Sequence, residues 1–563
     1  MAKTKEQSFT RKFVDAAFAF IGRHFLVLAL FSLALIVRIY QFGAVPGGFN
    51  QDEAMAAYDA YMVSRYGMDR FQMRLPVHFT AWGFGHMSAF MLYAMVPFFW
   101  ILGLTATAAR LPMLVFSMLG LFAMYKFTDD AFENKAITFA VLAFGAINPW
   151  HIMQSRWALD CNMFPHLMML GCWFLYRGLR KIDTEGHVSA GTPKRKDKDR
   201  AVRFKWPIKY NAWLAGSMVA FALCLYAYGI ALYAVPMFLV GMAIYLLAMD
   251  RAKYLVPLLI SFGVFMIVAW PILAMVFINY FEFSSFNLFG FTVPFFPYTT
   301  RTDDLIFFSE YPLRQMGWNA RSLSRILLQQ DDLPWNVVPG HGTLFMWSIP
   351  FTSLGIFSLA KSDKKMGKTI LLLWFVVSLL TGLVVRGVNV NRINVLFYPL
   401  IIFTGIGLYH AVMLAKTRIV RDLVVAGLIF ASVLSFGFFA RSYFGEHNRA
   451  LSGMFFAEFF EGIDIAQEEG YDRLYVTNYL QWPNQWHLTE ILLLFGAQVE
   501  PTLFWDTVAF RDTYRFRNFD YTPLPPEAGV RTLYLFNIHE AYLFPVDMFY
   551  IRWGEGFGVA RAR

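Results

Sequence analysis

The sequence predicts an all-α polytopic membrane protein of about eleven transmembrane helices, followed by a small C-terminal α/β domain, and three observations carry that expectation. Of its 563 residues, 57% are hydrophobic and 16% charged, with 61 phenylalanines and a mean hydropathy of +0.45. Such a composition cannot present an ordinary polar surface to water. Apolar runs long enough to cross a bilayer, or nearly so, fall at 24–40, 107–126, 136–150, 163–178, 211–227, 230–249, 254–279, 343–360, 369–385, 393–412 and 421–440. Basic residues gather between alternate runs, as a positive-inside bias requires.

The first run is followed by no small-residue cleavage site, so it reads as a retained helix with a cytoplasmic N-terminus. The runs at 136–150 and 163–178 fall short of the usual ~17–25 residues, so their ends are expected to sink into protein rather than lipid. His86–Leu104 is long enough to span, but it carries Pro97 and abuts another apolar run. Charge decides against a crossing there. Only if it stays on one side do the loop 178–210, with Lys194-Arg195-Lys196, and the groups Arg251/Lys253, Lys361/Lys364/Lys365/Lys368 and Lys416/Arg418/Arg421 all fall inside. It is therefore expected to be a re-entrant or interfacial helix within a long outer loop, 41–106. The loop 280–342 is then also external. So is the segment 441–563, read as a soluble domain with a helix near 449–468 and strands at Arg473–Thr477 and Arg531–Phe536. The absence of a 20–50-residue repeat argues against solenoids and inverted-repeat transporters.

The net charge of +10 is explained by the inner loops and does not imply nucleic acid; Lys194 to Lys198 reads as an anchor against anionic lipid. Cys161, Cys172 and Cys224 are scattered and support neither a disulfide framework nor a cysteine metal site.

With this topology four separate stretches meet on the outer face. The first loop supplies Asp52, Glu53, Arg74, His78 and His86, and the second, at 150–162, supplies Arg156 and Asp160. The third supplies Arg301, Asp303, Asp304 and His341, and the loop 386–392 supplies Arg386 and Arg392. Carboxylates beside arginines at a membrane boundary suit sugar transfer from a polyprenyl phosphate. One carboxylate takes the acceptor hydroxyl's proton as it attacks the anomeric carbon, and cations hold the departing phosphate. A general acid is unnecessary, because phosphate already leaves well.

The order of Asp52-Glu53 after the first helix, Ala109-Arg110-Leu111-Pro112 opening a helix, Ser155-Arg156 with Asp160, and Asn391-Arg392-Ile393-Asn394 opening a late helix resembles the GT-C glycosyltransferases. It is most similar to glycosyltransferase family 39 and its relatives, the protein O-mannosyltransferases and lipid A aminoarabinose transferases, over residues 1–440. The resemblance implies inverting transfer of a monosaccharide from a polyprenyl-phosphate donor to an extracytoplasmic acceptor at the plasma membrane. It implies that Asp52 is the base or acceptor-orienting group, with Glu53 its neighbour, and that Arg110 and Arg156 act on the donor phosphate. Arg392 is assigned to the same phosphate on chemistry and position. Asp52 and Asp160 would suit a divalent cation, Mg2+ or Mn2+. In place of the Lys-Pro of the aminoarabinose transferases this chain has Trp82-Gly83-Phe84-Gly85-His86, which leaves Arg74 and His86 as candidates for that phosphate contact, with Arg301 a further cation.

Each signal has a plainer alternative. Asp52 and Glu53 could be a solvated helix start capped by Asn50, Arg156 could pair with Asp160 four residues on, and Arg110 could snorkel to headgroups. Solvated loops account for Arg301 with Asp303-Asp304 and for His341, and Tyr226, Tyr228 and Tyr233 read as packing. At the level of function the rivals are an oligosaccharide transferase or polymerase acting on lipid-linked glycans, and a lipid or glycan transporter.

Overall fold

Each apolar run folds as helix over most of its length in the computed structural model, which describes residues 24–82, 85–188, 210–297, 306, 310–483, 485–507, 516–519 and 529–563. The first described helix is α1 (His24–Ile39). The first loop holds α2 (Gln51–Tyr66), the strands β1 (His78–Thr80) and β2 (His86–Ser88), and α3 (Ala89–Leu102). The bundle continues with α4 (Ala106–Phe132), α5 (Lys135–Ile147), α6 (Pro149–Gln154), α7 (Asp160–Val188), α8 (Ala212–Ala227) and α9 (Ala231–Tyr280). The next loop carries β3 (Phe286–Leu288), β4 (Phe291–Val293) and α10 (Pro312–Ser324), before α11 (Ile349–Ala360), α12 (Lys365–Val384), α13 (Phe397–Met413) and α14 (Arg418–Ser442). Beyond them lie α15 (Asn448–Met454), α16 (Ala457–Glu469), β5 (Arg473–Thr477), α17 (Trp486–Gly496), α18 (Pro501–Thr507), β6 (Phe516–Phe519), β7 (Thr532–Asn537), β8 (Phe549–Trp553) and β9 (Phe557–Ala562).

Five described helical stretches are individually long and apolar enough to cross a membrane: Ala106–Phe132, Ala231–Tyr280, Lys365–Val384, Asn394–Met413 and Arg418–Met454. Two expectations are met and two are corrected. The run 163–178 lies within α7, a helix of 29 residues, and both its ends are buried in protein as expected. The runs 230–249 and 254–279 are two helical segments within α9, separated by a break at Asp250 (φ −159°, ψ 93°) beside the basic turn that divides them in sequence. The re-entrant stretch starts as β2, paired antiparallel with β1, and becomes helical only at Ala89. The helix expected at 449–468 is split at Phe455 and Phe456, the latter at φ +57°.

Small residues let the bundle close. Gly355 in α11 and Gly407 in α13 sit where an added Cβ would collide with the carbonyls of Phe403 and Phe351, so the two backbones touch. A buried polar chain ties α1 to α5, α6, α7 and α13. Arg38 donates to the carbonyls of Ala34, Gly145 and Ala146 and meets His151 Nδ1 at 2.8 Å. His151 Nε2 and His166 Nδ1 share the Tyr398 hydroxyl at 3.0 and 2.8 Å.

The C-terminal strands form one mixed sheet in the order β6-β5-β7-β9-β8, with β5 parallel to β6 and β7, and β9 antiparallel to β7 and β8. This sheet and its helices are not set apart from the bundle: their apolar core runs into that of the helical region without a break. Phe49 stacks on Phe495 at 4.2 Å, and the Tyr58 hydroxyl donates to Val499 O at 2.9 Å. Gln498 donates to Leu104 O and Trp505 to Asp69 O. The C-terminal layer is thereby docked on α2, the helix that begins at the paired acids.

Candidate functional site

Two buried arginines shape the segment between α1 and α2. All five N–H groups of Arg156 reach main-chain carbonyls: Nε to Val45 at 3.1 Å, Nη1 to Val37 and Arg38 at 3.2 and 2.6 Å, and Nη2 to Tyr40 and Gln41 at 2.7 and 2.9 Å. Carbonyls at a helix C-terminus have no partners within the helix and carry its negative dipole end, so a guanidinium there caps α1. The Phe444 ring lies 5.0 Å from the guanidinium carbon. Arg110 does the same for the following turn. It donates to the carbonyls of Gly43, Pro46 and Gly48 at 2.8–3.0 Å and makes a two-pronged pair with Glu53, Nε to Oε1 at 2.9 Å and Nη2 to Oε2 at 2.8 Å. Arg110 and Glu53 are both fully buried.

Glu53 is shared further. Its Oε1 accepts from Ala158 N at 2.9 Å and its Oε2 from Asn50 N at 3.2 Å, closing a capping box in which Asn50 caps α2. The first loop is thus bolted to the second, between Arg156 and Asp160. Of the adjacent acids only Asp52 is left at the surface of a cleft, where Trp82 Nε1 donates to its Oδ1 at 2.6 Å. Asp160, in the first turn of α7, accepts from Cys161 N at 2.7 Å and from Ser88 N at 3.4 Å, which ties the strand hairpin to the second loop. Asp52 and Asp160 both lie within electrostatic reach of Cys161.

The cleft beside Asp52 has a volume of about 610 Å³. Three of its walls come from the helical region: Asn50 to Asp52 with Trp82, then Trp157 and Leu159, then Leu333, Trp335, Asn389 and Asn391. The fourth comes from the C-terminal layer, through Phe455, Gln481, Trp482 and Gln485. Asp332 fastens the 389–391 loop to this arrangement, its Oδ2 accepting from Val390 N and Asn336 Nδ2, each at 2.8 Å. Burial pushes its carboxyl above the usual carboxylate range, against the opposing pull of these N–H groups. Further along the first loop, burial raises Asp59 to about 6 and Asp69 to about 7, each eased by Arg70, whose backbone N–H donates to Asp59 at 3.1 Å.

The other expected residues are distributed as follows. Arg110 and Arg156 face carbonyls and Glu53 instead of the cleft, so the pairing of Arg156 with Asp160 is replaced by the cap on α1. Arg392 follows the lining Asn391, and its backbone N–H donates to Asn389 Oδ1 at 3.1 Å. Arg74 is exposed on the loop before β1, with its carbonyl accepting from Thr292 N. His86 Nδ1 lies 2.8 Å from His78 Nε2, and its ring stacks on Phe296. His341 lines a second cavity of about 720 Å³ with Arg441 and Arg449. Arg301, Asp303, Asp304, Gly83, Phe84 and Lys194 to Lys198 lie outside the described residues. Tyr226 donates to Val268 O, and Tyr228 and Tyr233 pack around Ile230 and Val385.

For a divalent cation the protein would offer Asp52 and Asp160; among the described residues no group of three His, Cys, Asp or Glu gathers. Mg2+ is commonly held by one or two carboxylates with water and substrate phosphate; here Asp52 accepts from Trp82, and Asp160 from Cys161 N and Ser88 N. Sequence reasoning missed the four tryptophans of the cleft and the wall from 481–485. The available signal was Trp together with Asn or Gln in the loops 41–106, 150–162 and 280–342 and once more beyond residue 480.

No family model matches the sequence, and no curated protein matches it. Among solved structures the chain is similar to ArnT from Cupriavidus metallidurans in the apo state, with a TM-score of 0.53, 12% identity and coverage of 97% of this chain and 98% of that one. It is similar to the same protein bound to undecaprenyl phosphate, with a TM-score of 0.52, 13% identity and coverage of 96% and 98%. It is also similar to the oligosaccharyltransferase of Archaeoglobus fulgidus in complex with Zn and sulfate, with a TM-score of 0.50, 11% identity and coverage of 83% of this chain and 61% of that one. The chain has a GT-C type fold.

Proposed function

We propose that this protein is an inverting membrane glycosyltransferase that moves a monosaccharide from a polyprenyl-phosphate donor to an extracytoplasmic acceptor, with Asp52 as base. The observation that carries the reading is the division of labour between the two adjacent acids: Glu53 is consumed in the frame, whereas Asp52 is held at the cleft by Trp82. The GT-C fold supports it, as does the undecaprenyl phosphate bound by one similar structure. Near-complete coverage of the ArnT structure, against 61% of the oligosaccharyltransferase, favours a monosaccharide donor.

In this mechanism the acceptor hydroxyl gives its proton to Asp52 as its oxygen attacks the anomeric carbon from the face opposite the phosphate, which inverts the centre. The Trp82 N–H on Oδ1 fixes the carboxylate plane, so the base is positioned before the substrate arrives. Arg110 and Arg156 act as positioning residues, holding the 37–48 segment that delivers Asn50 and Asp52. Arg392 is assigned to the donor phosphate, supported by its place next to Asn391, with Arg74, His86 and Arg301 as the remaining outer-loop cations. A divalent ion held by Asp52 and Asp160 would add positive charge near the phosphate. The N-terminus is assigned to the cytoplasm, and the sheet layer of 441–563 to the outside.

The test is transfer by reconstituted protein with a panel of polyprenyl-phosphate monosaccharides. Asp52→Asn is expected to lower the rate by about 10²-fold or more with the melting temperature unchanged, because Asn keeps the oxygen that Trp82 binds. Transfer at the wild-type rate would remove Asp52 from the chemistry.

A further inference from the structure

The lining of the Asp52 cleft specifies more than a base. Six amide side chains face it, Asn50, Gln51, Asn389, Asn391, Gln481 and Gln485, together with the indoles of Trp82, Trp157, Trp335 and Trp482. Among the described residues lining it there is no lysine or arginine, and Asp52 is the one carboxylate. Two buried polar atoms on these walls have no hydrogen-bond partner: the Nε1 of Trp157, a residue only 4% exposed, and the Oδ1 of Asn391. Buried polar groups are rarely left unpaired, and each costs about 1–3 kcal/mol when they are. The lining amides each supply a side-chain donor and an acceptor and the indoles supply donors, a set that matches ligand groups that donate and accept together, as hydroxyls do.

Several amides present the same two-sided demand. Asn50 and Asn389 accept with their oxygens from the N–H groups of Asp52 and Arg392, and Gln485 Oε1 accepts from Gln481 and Trp482 N–H, which directs the amide N–H groups elsewhere. Flat indoles suit the C–H faces of pyranose rings, and amides suit their hydroxyl edges. A polyanion would meet the Asp52 carboxylate with no lysine or arginine among the described lining residues to offset it, His487 being the lining's single imidazole. An extended peptide is recognised by adding a strand along an exposed sheet edge, and none of the cleft's lining residues belongs to a described β-strand.

We infer that the Asp52 cleft binds an uncharged oligosaccharide, so that the acceptor of the transfer is a neutral glycan chain. The inference rests on the transferase reading for the word acceptor and stands without it as a binding site. Trp482, 59% exposed on the C-terminal wall, is the outermost stacking platform, and this assigns the C-terminal layer the task of gripping the glycan.

The experiment is saturation-transfer NMR on the full chain in nanodiscs. The probes are neutral hexose oligosaccharides of two to four units, the matching hexuronate oligosaccharides, and a Ser/Thr-rich peptide. The neutral series is expected to bind and the other two not. Trp482→Ala should weaken binding about tenfold, with Gln485→Ala as a second variant. Trp318→Ala, an exposed tryptophan on α10 that does not line the cleft, should leave binding unchanged. Equal or tighter binding of the acidic or peptide probe, no binding by folded protein, or neutral binding indifferent to both cleft variants would overturn the inference. The two readings fail separately. Glycan binding without transfer from any donor removes the transferase and leaves the site, whereas transfer onto peptide alone keeps the transferase and removes the glycan.

Discussion

Replacing Arg110 by methionine separates a framing role from a phosphate-binding one. The guanidinium neutralises Glu53 in a fully buried pair and serves the buried carbonyl of Pro46 and the part-buried carbonyls of Gly43 and Gly48. Removing one partner of a buried ion pair costs about 3–5 kcal/mol, because the survivor stays buried and charged. Glu53 would keep only the N–H groups of Asn50 and Ala158. Each released carbonyl adds about 1–3 kcal/mol unless water reaches it. These contributions overlap, since a single side chain makes all the contacts, and the expected loss is about 4–6 kcal/mol. Adding Glu53→Gln to the methionine variant removes the stranded charge and should restore about 2 kcal/mol relative to additivity. Tryptophan-emission melting of both variants and the double variant in nanodiscs, at one scan rate, measures this. An unchanged melting temperature with a raised KM for the lipid-phosphate donor would refute the framing role and return Arg110 to the donor.

The paired acids of the first loop predict a pH dependence. Asp59 and Asp69 are raised from the ordinary carboxylate value to about 6 and about 7, chiefly by burial, so the folded state binds their protons where the unfolded state has released them. Their contribution is therefore fully present below about pH 4 and is lost as pH rises through 6 and 7. Asp69→Asn should gain stability relative to wild type at pH 8 and lose that advantage by pH 5, and parallel melting profiles across this range would contradict it. At the docked C-terminal layer, Phe495→Ala removes the ring stacked on Phe49 and should cost about 3–5 kcal/mol. Limited proteolysis checks it, with earlier cleavage expected beyond residue 454. Protection equal to wild type would mean that the layer holds by other contacts.

Much of this protein is written in local pattern. Apolar runs become helices because a buried or lipid-facing backbone must satisfy its own hydrogen bonds, and that requirement is visible in composition alone. The Asn50-to-Glu53 capping box is likewise local, and its residues mark the start of α2. The roles within the acid pair were not local. Asp52 and Glu53 are neighbours with the same chemistry, and what distinguishes them is Arg110, 57 residues away, and Ala158, 105 residues away. The arginines misled for a related reason. A guanidinium suits a phosphate and a cluster of carbonyls equally well, and only the path of the chain from Val37 to Gly48 shows which one Arg110 and Arg156 meet.

The sequence by itself determined a helical protein rich in long apolar runs, with acids and arginines gathered in the loops between them, and a resemblance in the order of its motifs to the GT-C enzymes. Tertiary structure alone decided that Asp52 and not Glu53 reaches the cleft, that tryptophans and amides line it, and that Gln481, Trp482 and Gln485 form its far wall. The physical reason is reach: periodicity and charge bias are sums over neighbouring residues. A cleft wall is made by side chains hundreds of positions apart, whose meeting depends on how helices, hairpin and sheet pack.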